Sequence, residues 1–291
     1  MVRSVKTWYV LLAVQAAAYM PIWRWYLART ADGSDEPWGF IALAAALIVI
    51  LVNRTRHAPR DSDLLLPSVL IVAYAATYSF VPRLVQAMIA VTALSCTTSV
   101  IALGVRVHVP TLGLLVLSLP LVPSLQFYLG YPFRVLCGSL TAPLLQLAGL
   151  DVVREGTSLR FGTQLVSIDA PCSGVKMLWA ALFFAFLLSS LFRSSPLRTM
   201  LTAGAAVGAV LFGNVWRSAA LFHLESGMLV MPEWSHEAVG VCVFAGVAVF
   251  ILWFADRMGN RGPTGTGAPD SDAQSCRRFL PRYASRFGGV S

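Results

Sequence analysis

Asp169-Ala-Pro-Cys-Ser-Gly-Val-Lys-Met-Leu178 is where a polar segment stops and an apolar run begins that lasts to Phe192. From about Val175 onward the run is long enough to read as a membrane helix. Cys172 stands at its threshold, after Pro171 and before Ser173 and Gly174. That places a thiol at or beside the first helical turn, where unpaired backbone N–H groups and the helix dipole favour an anion. Such a position raises the thiolate fraction. Cysteine is equally a common small hydrophobe of apolar helices, so its role depends on what the rest of the chain brings to it.

The whole chain shares the character of this run. Of its 291 residues, 57% are hydrophobic and only 12% charged, against about 25% charged in a soluble domain. The expected class is an all-α polytopic membrane protein, and the net charge of +8 is to be read by position along the chain. A basic stripe with interleaved aromatics is absent, so nucleic acid is not expected as a partner; the lipid bilayer is. Five cysteines (Cys96, Cys137, Cys172, Cys242 and Cys276) form no CxxC or other metal spacing. Their odd number argues against a disulfide framework, and neither metal nor cofactor is implied. Cys96, Cys137 and Cys242 lie in apolar surroundings and read as packing. The first apolar run, rich in Trp and Tyr, shows no small-residue cleavage site, so no removable signal peptide is expected.

Candidate spans fall near 7–27, 38–52, 64–81, 84–104, 110–129, 175–192, 199–222 and 237–255, about eight in all. The second is short, and Pro110, Pro120 and Pro123 soften the fifth. Between the fifth and sixth, the apolar piece 131–150 carries Arg134, Gly138 and Pro143. Charge then sets the orientation. Arg54, Arg56 and Arg60 occupy one loop, and Arg257, Arg261, Arg277, Arg278, Arg282 and Arg286 follow the last span. With both regions in the cytoplasm, Arg3, Lys6, Arg106, Arg193 and Arg198 also fall inside. Most of the 22 basic residues then obey the positive-inside rule. Both termini are cytoplasmic in this reading. Segment 131–150 cannot cross once on its own, so it lies in the interface or re-enters, and Cys172 faces the outer side.

Residues 151–170 break the pattern with short β-prone runs split by Glu155-Gly156 and Phe161-Gly162, a small hairpin or meander that delivers the chain to Cys172. Three regions result: an N-terminal four-helix membrane region (1–109), a membrane core (110–258), and a basic cytoplasmic tail (259–291). The tail's Gly, Pro, Ser and Arg content reads as disordered with attraction to anionic lipid.

Polar residues inside spans carry the functional argument. Arg217 lies in Gly213-Asn-Val-Trp-Arg-Ser-Ala-Ala220; an arginine there costs about 2.5–3.5 kcal/mol on insertion scales and marks a functional site by default. Asn214 is three residues earlier, on the same face. The structural alternatives are snorkelling to the headgroups or an ion pair with Glu225 or Asp169. His236 stands at the foot of the last span, where its plain role is an interfacial residue bonded to nearby backbone. Cysteine, arginine and histidine from three helices at one membrane face are the parts of a thiol acyl-transfer site: nucleophile, oxyanion stabiliser and proton carrier. His223 is a rival base. Glu225, Glu233 and Glu237 are each placed to orient the histidine, and the sequence does not choose among them. A transport or assembly protein, with Arg217 and His236 in an anion or proton path, is the competing class. It makes Cys172 dispensable.

The order Ala170-Pro-Cys172-Ser-Gly174, then Asn214-Val-Trp-Arg217, then His236 resembles the exosortase/archaeosortase family. Leu119-Pro-Leu-Val-Pro123 is similar to its paired-proline segment, and Gly149-Leu-Asp-Val-Val-Arg-Glu-Gly156 to its lead-in to the cysteine. The resemblance covers about residues 110–255. It implies a membrane-embedded cysteine protease and transpeptidase with Cys172 as nucleophile, Arg217 as oxyanion or carbonyl stabiliser and His236 as acid/base. Ser173, Gly174, Lys176 and Asn214 are then supporting or substrate-binding residues. Lys176 stands where many members have Arg, keeping the charge but losing a bidentate fork. The implied partners are exported proteins with a C-terminal sorting signal of the PEP-CTERM kind: a short motif, an apolar helix and a basic cluster. A family member that binds such signals without cutting them is the third reading.

Overall fold

A computed structural model describes residues 2–31, 38–55, 60–167, 174–228, 232 and 234–259. Cys172, Ser173, Glu233 and the tail from 260 lie outside the described residues. In chain order the helices are α1 (Val2–Ala18), α2 (Met20–Ala31), α3 (Trp38–Val52), α4 (Leu65–Thr77), α5 (Arg83–Thr98), α6 (Val109–Leu117) and α7 (Val122–Leu147). Strands β1 (Val152–Glu155), β2 (Ser158–Phe161) and β3 (Gln164–Ser167) follow, then α8 (Val175–Leu191), α9 (Pro196–Glu225) and α10 (Ser235–Gly259).

Among the described residues the spans are fewer than the eight expected. Among the described residues three helical stretches are long and apolar enough to cross a bilayer: Arg83–Leu103, where a π-helical turn extends α5, and α9 and α10. A fourth arises if α6 and α7, bent by 92° at their break, count as one. Hydropathy overcounts because it registers apolar residues rather than continuous helix. The 7–27 run is interrupted at Tyr19. Helices α3 and α4 have 15 and 13 residues, and at 1.5 Å per residue both fall short of the roughly 30 Å hydrocarbon layer; α8, with 17, stands at the lower limit for a span. The 110–129 run breaks at Ser118–Leu121. Residues 131–147 are not a separate segment but the continuation of α7, which holds Pro132 and Pro143 within it.

Helix α8 is the axis of the arrangement. One side packs Trp179 with Ala42 of α3 and Leu117 of α6, and the indole N–H of Trp179 donates to the Leu117 carbonyl at 3.1 Å. The other side packs Leu178, Ala181 and Ala185 with Ala206 and Val210 of α9 and Val247 and Ile251 of α10. The small residues let the three backbones approach closely, as membrane helices require. Helix α3 reaches α6 the same way: a Cβ at Gly39 would collide with the Ser118 carbonyl oxygen.

The segment 151–167 is the expected meander, with strands paired antiparallel in the order β1-β2-β3. Gly156 and Gly162, at φ 64° and 58°, take the first central position of two-residue turns, where type II′ turns use glycine. Alternation turns Val152, Leu159 and Val166 inward against Ala142 and Leu145 of α7 and Leu221 and Phe222 of α9. The Phe161 and Phe222 rings meet edge-on at 5.9 Å. The sheet therefore covers the last turns of α9. At the opposite end of the bundle, residues 53–55, 103–110 and 190–196 line one cavity. The three loops that charge assigned to one side of the membrane do meet.

Candidate active site

Helix α8 starts one step after Gly174, its N-cap, whose φ of 78° is left-handed. Such a φ costs any residue with a Cβ about 1–2 kcal/mol. Space is also short: a Cβ on Gly174 would stand 3.2 Å from Asn214 Cγ and 3.3 Å from its Nδ2. Gly174 is buried and stands two positions after Cys172 in the chain. Replacing Gly174 with alanine is expected to cost about 1–2 kcal/mol from the backbone alone. That loss is measurable as a lower thermal midpoint of the purified protein, with slower substrate processing if this turn presents the nucleophile.

Asn214, 3% exposed, is held from the far side by a residue that sequence reading assigned to packing. Cys137 of α7 accepts from Asn214 Nδ2 at 3.5 Å, donates to the Asn214 carbonyl at 3.4 Å, and lies 3.1 Å from Ser218 Oγ. Thr141, one turn along α7, donates to the Val215 carbonyl at 3.5 Å. Two polar pairs at i, i+4 (Cys137/Thr141 and Asn214/Ser218) thus face each other in an apolar interface. That spacing is the signal that would have singled out Cys137. Unlike a packing cysteine, it orients the amide that braces Gly174.

Arg217 lies one turn beyond Asn214 on α9. Its guanidinium covers Gly240 of α10: a Cβ there would stand 3.6 Å from Nε and 3.7 Å from Nη2. His236, in the first turn of α10, is four residues before Gly240 and so on the same face. Its Nδ1 is 3.8 Å from Glu225 Oε1 at the end of α9, an ion-pair distance too long for a direct hydrogen bond. With Nδ1 turned to a carboxylate, Nε2 is the ring atom left for proton transfer. Of the three carboxylates placed to orient this histidine, the geometry brings up Glu225; Glu237 is exposed and Glu233 is outside the described residues.

The rival His223 has one ring nitrogen tied to its own helix and faces another way. Its Nδ1 lies 2.8 Å from the Ala219 carbonyl oxygen, which can only accept. Six residues also turn it about 120° around α9 from Arg217. Lys176 is exposed on the first turn of α8. Among the described residues no group of three His, Cys, Asp or Glu is placed to hold a metal.

The family model for transmembrane exosortases matches residues 8–253. No curated protein matches the chain, and no solved structure does.

Proposed function

The chain belongs to the transmembrane exosortase family, and on that premise we propose that it cleaves C-terminal sorting signals from exported proteins through a Cys172 acyl-enzyme. The Cys172 thiolate attacks the scissile carbonyl carbon, an S–C bond forms, and Arg217 stabilises the oxyanion. Collapse breaks the C–N bond while His236 gives a proton to the leaving amine. Water or an acceptor amine then attacks the thioester, His236 takes that nucleophile's proton, and the thiolate leaves. Hydrolysis or transpeptidation results, according to which nucleophile arrives.

One observation carries the reading. The Asn214–Arg217 turn of α9 touches both neighbours that matter, Asn214 against Gly174 at the start of α8 and Arg217 against Gly240, one turn from His236. Helices α8, α9 and α10 meet at that level. The arrangement supports a substrate helix lying beside the α8–α10 core with its motif beside Arg217, and Lys176 at the rim for substrate charge. The basic loops then face the cytoplasm of the inner membrane and the site its outer side. The core is 110–258, with 1–109 flanking it and 259–291 as a cytoplasmic tail.

The test is a tagged exported protein ending in motif, apolar helix and arginine cluster, made in the same cells. It should shorten when this chain is present. His236→Ala should slow that step by about 10²–10⁴-fold, the range for removing a general acid–base, and Glu225→Gln by less. A substrate that stays full length beside inserted wild-type protein contradicts the reading.

A further inference from the structure

At the end of the bundle away from this site, the turns after α3, before α6 and between α8 and α9 enclose a cavity of ≈ 360 Å³. Arg193 is the informative wall residue. Helix α8 closes in a Schellman pattern, with Ser194 N–H donating to the Ser189 carbonyl at 2.9 Å and Arg193 N–H to that of Ser190 at 3.2 Å. This motif puts its C′ residue in the left-handed region, where glycine is the usual choice. Here the C′ residue is Arg193, at φ 49°, the one non-glycine residue with positive φ among those described. A side chain kept against the backbone's preference points to work done by that side chain.

The rest of the wall fits an anion. Ser190 and Ser194 line the cavity, and their buried hydroxyls have no hydrogen-bond partner among the described residues. His108 accepts the Thr111 backbone N–H on Nδ1 at 3.3 Å, so its ring proton sits on Nε2 as a donor. Burial holds its imidazole below the ordinary pKa, in the neutral form. Among the described residues no carboxylate lines the space. Nearby Asp63 is taken up by Arg106 at 2.9 Å. The remaining lining is largely aliphatic and proline, which suits a phosphate attached to an apolar body better than a free ion.

We propose that this cavity binds the phosphate of an anionic phospholipid headgroup, with Arg193 as the counter-charge and Ser190, Ser194 and His108 as donors.

The test uses full-length protein in phosphatidylcholine nanodiscs, with and without phosphatidylglycerol, and separately with millimolar inorganic phosphate. Wild type should gain thermal stability with phosphatidylglycerol, as a ligand of the native state must confer, and little with phosphate. Arg193→Gly should raise the midpoint in phosphatidylcholine by relieving the left-handed residue, yet lose the phosphatidylglycerol increment. Its affinity for the lipid in a native mass-spectrometry titration should fall about tenfold, the scale of one charge-assisted hydrogen bond. Arg193→Lys should keep most of the increment. An equal increment in wild type and Arg193→Gly overturns the proposal, as does none in wild type. An equal gain from phosphate alone overturns the lipid assignment.

Discussion

Cys172→Ala should abolish cleavage of a sorting-signal substrate, by about four orders of magnitude or more, the scale on which loss of a nucleophile acts. Cys172→Ser should be nearly as severe, because a hydroxyl without a strong base beside it is a far weaker nucleophile than a thiolate. Both variants should insert in the membrane at wild-type levels, since the substitution removes little packing volume. The measurement is a blot of substrate size alongside one of the protein itself. Undiminished cleavage in both variants would hand the chemistry to another protease and revive the transport reading, in which the cysteine is dispensable. A non-cleaving binder predicts no cleavage even by wild type.

The second large effect is expected at Arg217. Arg217→Gln should lower the rate of the chemical step by about 10²–10³-fold with little change in KM, as removal of an oxyanion donor does. Arg217→Lys keeps the charge but gives up the planar fork, so it should recover only part of that loss. Gly240→Val offers a check that leaves the arginine in place. Branched carbons where the guanidinium now lies on bare backbone should displace it and reproduce the direction of the Arg217→Gln defect. If Arg217 instead lines an ion path, these variants change conductance or proton uptake and leave cleavage intact.

Much of this arrangement was legible in the residues, and the parts that were not fail for identifiable reasons. The meander announced itself through Gly156 and Gly162, because a two-residue turn between β-prone runs leaves few alternatives. Arg217 and His236 stood out because an ionisable group in an apolar helix is rare. The span count went astray because hydropathy windows do not see chain breaks. The 7–27 run breaks at Tyr19, two residues before Pro21, which has no N–H to continue the helix, and Ser118–Leu121 turns the chain through 92° between α6 and α7. Pro120 and Pro123 made that break plausible, whereas Pro132 and Pro143, no different as residues, sit inside α7.

Cys137 was read as packing because its sequence neighbours are apolar. Its partners, Asn214 and Ser218, are 77 and 81 residues away, and only the α7–α9 pairing brings them together. Arg193 shows the same limit in the backbone. Nothing in Phe192-Arg-Ser-Ser195 signals a left-handed residue, because the motif that demands it is defined by hydrogen bonds rather than residue types. Bringing Glu225 to His236 likewise needed the distance between helix ends.

The most direct measurement is of the acyl-enzyme itself. Purified full-length protein would be mixed with a tagged sorting-signal substrate in a single turnover, quenched in acid, and digested for mass spectrometry. The account predicts a hydroxylamine-labile adduct on the Cys172 peptide, with the mass of the N-terminal substrate fragment, formed before free product appears. Product released with no acyl group ever on Cys172, or an adduct on another residue, would contradict it.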